Sequence, residues 1–287
     1  MPTRESLELE NRTSKCRLVL VVCLFAAMVL GTRCRGDVFN AGNPGSTEYY
    51  ETHILQCLAN LNACFPPPIQ GLIGYWPLDG TAADASANGN NGTIMGTLNA
   101  GPDRAGTANG ALQFDQNSAN HINIPHVNAF ASASFSMAMW FYWDKLPDGD
   151  GTLAHFLASK GNGRMEVHLG DFGGNVVVQG IRFIPACEGV PCLTNSAGFA
   201  DYAGPLSAGW NHLVVTFDGG SRARIYVNSN LVVEKADILT DTDLTANTMD
   251  FLLGARNPAT LPLLGRLDEV YFYNRELSSA EMARIAW

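Results

Sequence analysis

Three features of the sequence predict an all-β fold, a sandwich or barrel of antiparallel strands. Short apolar runs recur at 72–78, 111–114, 122–124, 135–143, 153–158, 165–169, 176–184, 212–217, 223–227, 231–233, 251–253 and 267–273. They are bounded by Gly, Asn, Asp and Pro, the residues that turns require. No helical pattern alternates with them, which excludes βαβ units and a parallel sheet.

The elements follow in chain order. Residues 18–30 form an unbroken apolar run behind Arg12, Lys15 and Arg17. A bilayer core takes about 20 such residues and a secretory leader about 7–15. Residues 1–36 are therefore expected to be a signal peptide cut after Gly36, leaving a secreted chain with no stable membrane span. A type II single-pass anchor is the alternative, opposed by the short run and by Arg33 and Arg35 beyond it. Cleavage removes six basic and three acidic side chains and takes the formal charge from −9 to −12. Such an acidic chain lacks the basic footprint that phosphate neutralisation needs, so nucleic acid is excluded as a partner.

Residues 37–70 have a different texture. Tyr50, Ile54, Leu55, Leu58 and Leu61 stand at helical spacing within 47–62, and Pro66, Pro67 and Pro68 then read as a stiff linker. This helical, Cys-containing segment can mediate oligomerisation. Four cysteines survive cleavage, Cys57, Cys64, Cys187 and Cys192, an even number in an oxidising compartment. Glu188, Gly189, Val190 and Pro191 let the chain return on itself, so Cys187 and Cys192 are expected to be joined. Cys57 and Cys64 would sit about 10 Å apart along one straight helix and can bond only if the chain turns back after about Asn62; otherwise one of them has another partner.

From Gly71 to Trp287 the β pattern holds. Met165, Val167 and Leu169 alternate with Arg164, Glu166 and His168, which assigns the two sets to opposite faces of one strand. Both faces of 135–143 are apolar, placing that strand deep in the sandwich. Asn228, Ser229 and Asn230 read as a hairpin loop. Ser278 followed by Glu281 is a capping box opening a short C-terminal helix.

Ordered blocks in 71–287 resemble a known family. They are Tyr75 through Gly80, the loop from Asp84 to Gly92, Gly110 through Phe114, Phe135 through Trp140, Trp210 through Gly219 with Ile225 to Asn228, and Gly265 through Ser278. Together they resemble the laminin G-like jelly rolls of the concanavalin A-like lectin and glucanase superfamily, to which pentraxins are related. Ser229 and Ala87 depart from the usual glycines, and 185–201 looks like an insertion. The resemblance implies a two-sheet antiparallel jelly-roll sandwich over 71–287. In the superfamily a calcium ion often joins the first and last strands, which implies Asp79, Asp84 and Asp268 as ligands. The competing role for the loop acids is hydrogen bonding to local backbone.

Glycoside hydrolases share this fold and need two carboxylates in one cleft. Glu166 has no second acid on its strand face, and Asp268 and Glu269, being adjacent, are expected to point to opposite faces. Zinc, nucleophile-elbow and phosphate-loop motifs are absent from the sequence. Trp76, Trp140 and Trp210 could stack sugars, but each sits in an apolar strand pattern that assigns it to the core. Asn91 heads an N-glycosylation sequon with Gly92 and Thr93. The expectation is a secreted, non-catalytic adhesion or binding module for glycan or glycoprotein, with calcium as a structural cofactor. A structural component of matrix or cell coat is the alternative, and a hydrolase or lyase of the same fold the third reading.

Overall fold

The computed structural model describes residues 67–144, 154–161, 164–170, 181–186, 198–206, 209–238, 240, 244–256 and 259–286. The leader at 1–36, the helix expected over 47–62, and Cys57, Cys64, Cys187 and Cys192 lie outside the described residues. No helix among the described residues is long and apolar enough to cross a membrane.

The strands are β1 (Leu72–Trp76), β2 (Thr93–Met95), β3 (Asn99–Gly101), β4 (Ala111–Asp115), β5 (His121–Ile124), β6 (Phe135–Trp143), β7 (His155–Ser159) and β8 (Arg164–Leu169). There follow β9 (Ile181–Ala186), β10 (Ala200–Tyr202), β11 (Trp210–Phe217), β12 (Ala223–Val227), β13 (Asn230–Lys235), β14 (Phe251–Leu253) and β15 (Leu264–Tyr273), and the chain closes on the helix α1 (Ser279–Ile285). Among the described residues, one sheet runs β13-β12-β11-β6-β15-β4-β3 with β1 also paired to β15, and the other runs β10-β9-β8-β7-β14-β5-β2. Every pairing between named strands is antiparallel. This is the jelly-roll sandwich that the sequence blocks imply. The three-residue strands β2, β3 and β10 were not foreseen, because each is too short to show a period and two of them are mostly exposed.

The core between the sheets is aromatic. Phe272 meets Phe130 edge-on at 5.1 Å and lies parallel to Phe135 at 5.9 Å, while Trp76 packs on Phe130 at 6.3 Å. Trp76 is fully buried and its Nε1–H donates to the Asn90 carbonyl at 2.9 Å, which ties the loop after β1 to the core. Gly74 allows that packing, since a Cβ there would stand 2.2 Å from the Trp76 ring. Met165, Val167 and Leu169 all enter the core, as their alternation predicts. Glu166 on the opposite face is buried and paired with Arg256 at 2.9 Å. The hairpin at Asn228 and Ser229 has φ of 50° and 67°, the left-handed pair that a two-residue turn demands.

The outer face of the first sheet is divided. One half is covered by α1, whose Met282 and Ile285 pack with Leu277 on Ala138, Val214, Tyr271 and Tyr273. The capping box is formed: the Ser278 side chain accepts from the Glu281 N–H, and Glu281 accepts from the Ser278 N–H at 2.9 Å. Arg275 clamps Glu281 with two bonds of 3.0 and 2.6 Å. These bonds, with the Arg275 fork first, push the Glu281 carboxyl down to about 2.

A depressed carboxyl contributes stability above its unfolded value of about 4.3 and loses it as pH falls toward the folded value. Glu281→Gln is therefore expected to lower the melting midpoint at neutral pH by a few degrees, about 1 kcal/mol for a partly exposed pair and a cap. The gap between variant and parent should close as pH is lowered from about 5 to 2. Thermal melts across that range check it.

Candidate functional site

The half of the outer face that α1 leaves open is set by strand register. Trp210 of β11 stands opposite Tyr142 of β6, Tyr142 opposite Arg266 of β15, Arg266 opposite Gln113 of β4, and Gln113 opposite Asn99 of β3. Partners across a ladder share a face, so these five side chains form one row across five strands, roughly 19 Å at the usual strand spacing. Next to it lies a second row in which His212 faces Trp140 and Trp140 faces Asp268.

Trp140 and Trp210 therefore do not pack the core, contrary to the sequence expectation; of the three tryptophans considered as platforms, Trp76 alone does. The apolar pattern misled because Phe135, Met137, Met139 and Phe141 fill the inward positions of β6, while the alternate set carries aromatics too. Trp140, Tyr142 and Trp210 are half-buried. Trp210 meets Tyr142 edge-on at 5.8 Å, and the Arg266 guanidinium lies 3.9 Å over the Tyr142 ring.

The segment between β3 and β4 supplies a second guanidinium. Asp103 Oδ1 accepts from the N–H groups of Ala105 and Thr107, which shapes the turn. Arg104 then reaches over Trp140, 5.0 Å from the ring, to pair with Asp268 at 3.2 Å. Asp268 is 2% exposed. Burial and the neighbouring Glu269 push its carboxyl up, with Arg104 opposing them. Burial pushes the His212 imidazole down to about 3, so it is neutral at any physiological pH. Its backbone N–H is held by Asn228 Oδ1 at 2.9 Å, so the β12–β13 hairpin braces the row.

Asp268 and Glu269 do not point to opposite faces as expected. The register slips between Asp268 and Tyr271, and Glu269 adopts a φ of 51°. This bulge turns Glu269 to the outer face, where its Oε2 accepts from the hydroxyls of Tyr75 at 2.7 Å and Tyr271 at 2.8 Å. Burial and the Glu269 charge raise both phenols well above their ordinary value.

The three acids proposed for calcium are differently employed. Asp84 accepts from the backbone N–H groups of Tyr75, Ser86 and Asn90 at 3.0, 2.8 and 2.8 Å. Burial alone would raise this carboxyl, but those bonds hold it below the ordinary range. Asp268 is tied to Arg104, and Asp79 is exposed. Among the described residues no three His, Cys, Asp or Glu side chains gather where they could hold a metal. A calcium ion takes six to eight oxygens, and these residues as placed do not fit it. Asn91 is exposed, its Oδ1 accepting from the Asp84 N–H at 2.9 Å. Sequence reasoning passed over Arg104, Tyr142 and Arg266, because only the cross-strand register shows that they meet.

No curated protein matches the sequence. Among solved structures, domain 4 of AbnA, an extracellular arabinanase from Geobacillus stearothermophilus in complex with arabinotriose, is similar at 18% identity and a TM-score of 0.54, over 75% of this chain and 98% of that one. The binding domain of Paraclostridial Mosquitocidal Protein 1 is similar at 14% identity and 0.56, over 75% of this chain and 52% of that one. The botulinum neurotoxin type G receptor binding domain gives 16% and 0.55, over 76% and 51%. The chain thus spans nearly all of the arabinanase domain and about half of each of the other two structures; at these identities the likeness is one of fold. The profile of a laminin G family within the concanavalin A-like lectin/glucanases superfamily matches residues 115–283, more than half of the sequence, and the chain belongs to that family.

Proposed function

We propose that the chain is a secreted, non-catalytic module that binds carbohydrate or glycoprotein through the open half of the first sheet's outer face. The observation that carries this reading is the row Trp210, Tyr142, Arg266, Gln113, Asn99, in which aromatic surface stands beside guanidinium and amide groups on rigid strands. Ligand surfaces pair apolar and aromatic area with a few fixed polar groups in this way. Similar folds are described as receptor binding domains, and one is seen with arabinotriose. Secretion rests on the length of the 18–30 apolar run.

One observation favours a hydrolase: the bulge brings Asp268 and Glu269 to one face. Against it, Glu269 holds two tyrosine hydroxyls and Asp268 is sealed under Arg104. No turnover of labelled polysaccharides is expected. Turnover abolished by Glu269→Gln or Asp268→Asn would replace the binding reading.

Binding to a glycan array is expected for the parent protein. Trp210→Ala should weaken it about tenfold or more, as loss of a central aromatic contact does, whereas Leu231→Ala, on the exposed edge strand β13, should leave it unchanged. A silent array would remove carbohydrate recognition from consideration and favour a structural role in matrix or cell coat.

Calcium is expected to leave the melting midpoint unchanged relative to chelator, because Asp84 and Asp268 already have their partners. An ion held at a hundredfold its Kd would add about 2.7 kcal/mol, a shift of several degrees that differential scanning calorimetry would show.

A further inference from the structure

Arg266 is built into the open face in an unusual electrostatic state. Arg104, Arg182, Arg224, Arg256 and Arg275 are each paired with a carboxylate. Arg266, half-buried, enters no ion pair among the described residues. Its guanidinium lies 3.9 Å over the Tyr142 ring and 5.4 Å from the Trp210 ring. One Nη donates to the Pro102 carbonyl at 2.9 Å, and the buried Nε–H has no partner. The side chain is held in place: Gly101 on β3 leaves room for its stem, since a Cβ there would stand 3.0 Å from Arg266 Cδ.

A cation partly removed from water without a counter-charge is costly, and stacking on the Tyr142 ring, with Trp210 on the same side, fixes the plane of the fork. Stacking occupies a face of the guanidinium; with the Nε–H buried and one Nη already bonded to Pro102, the in-plane edge left for a ligand is the one between the two Nη groups. That edge matches a carboxylate or a sulfate, which accept two parallel N–H bonds. Asp144, the acid that directly follows β6, is engaged by the Gln113 amide at 2.7 Å. The aromatic ring of Trp210 adjoins the same guanidinium, so one ligand can use both.

Resting on the carbohydrate reading of this face, we propose that its ligands are anionic glycans, with a carboxylate or sulfate on Arg266 and the adjoining sugar ring against Trp210. The chain's net charge of −9 gives no general attraction for polyanions. Selectivity therefore comes from contact with one arginine and not from steering.

The test is a glycan array carrying matched neutral, carboxylated and sulfated forms of each oligosaccharide, read with the full chain. The parent is expected to prefer the anionic member of a pair by tenfold or more, the range of a charge-assisted bidentate contact. Arg266→Gln should erase that preference and keep the neutral binding, and Arg266→Lys, which retains charge but not the fork, should fall between. The carboxylated and sulfated arms tell the two anion sources apart. Equal binding of neutral and anionic partners by the parent, or a preference that survives Arg266→Gln, overturns the anionic assignment and leaves carbohydrate binding standing. Should Arg266→Gln fail to fold, the matched pairs read with the parent alone decide. A silent array overturns both readings, and retention of poly-glutamate with no glycan bound assigns the face to acidic protein instead.

Discussion

The bulge in β15 is the constraint on which the outer face depends. Before it, Leu267 points into the core and Arg266 and Asp268 point out; after it, Val270 and Phe272 point in and Tyr271 and Tyr273 point out. Strict alternation from Leu267 would have sent Val270 and Phe272 to the surface and the tyrosines into the sandwich. One additional residue resets the parity, so a single strand serves the aromatic core and both halves of the outer face.

The residue that makes the bulge is strained, and its surroundings hold it. A left-handed φ of 51° at Glu269 costs about 1–2 kcal/mol in an L-residue. Two phenolic hydroxyls donate to its carboxylate, and bonds to a charged group contribute about 1.5–3 kcal/mol each. Tyr75 and Tyr271 also stack at 4.4 Å with their planes 1° apart. Apolar surface beyond the bulge is then closed by α1, and the polar, aromatic surface before it is left open. The same displacement that creates the open face places two acids side by side. Their partners, the tyrosines and Arg104, employ both in holding structure.

Much of the fold was legible because its long strands are periodic. β6, β8, β11 and β15 carry enough residues for alternation or an apolar run to show, and the capping box at Ser278 announces α1 by local chemistry alone. β2 and β3, exposed and three residues long, leave no such trace. The candidate site was harder to read. Trp140 and Trp210 are visible as residues, but their direction depends on which parity fills the core. Arg266 joins them only through the pairing of β6 with β15. Period-two reasoning also failed at Glu269, since nothing in the local sequence marks the slip. The loop acids show the opposite: Asp84 sits among Gly and Asn, and it takes the local backbone role that such a loop invites.

The indole N–H signals of the five tryptophans offer the most direct measurement of whether the open half of the outer face is the binding surface. With nitrogen-labelled protein and a glycan retained on the array, the resonances of Trp210 and Trp140 are predicted to shift on titration. The resonance of Trp76, locked in the core against the Asn90 carbonyl, is predicted to stay in place. Saturable binding that leaves Trp210 and Trp140 unmoved would contradict the account and send the site to another surface of the sandwich.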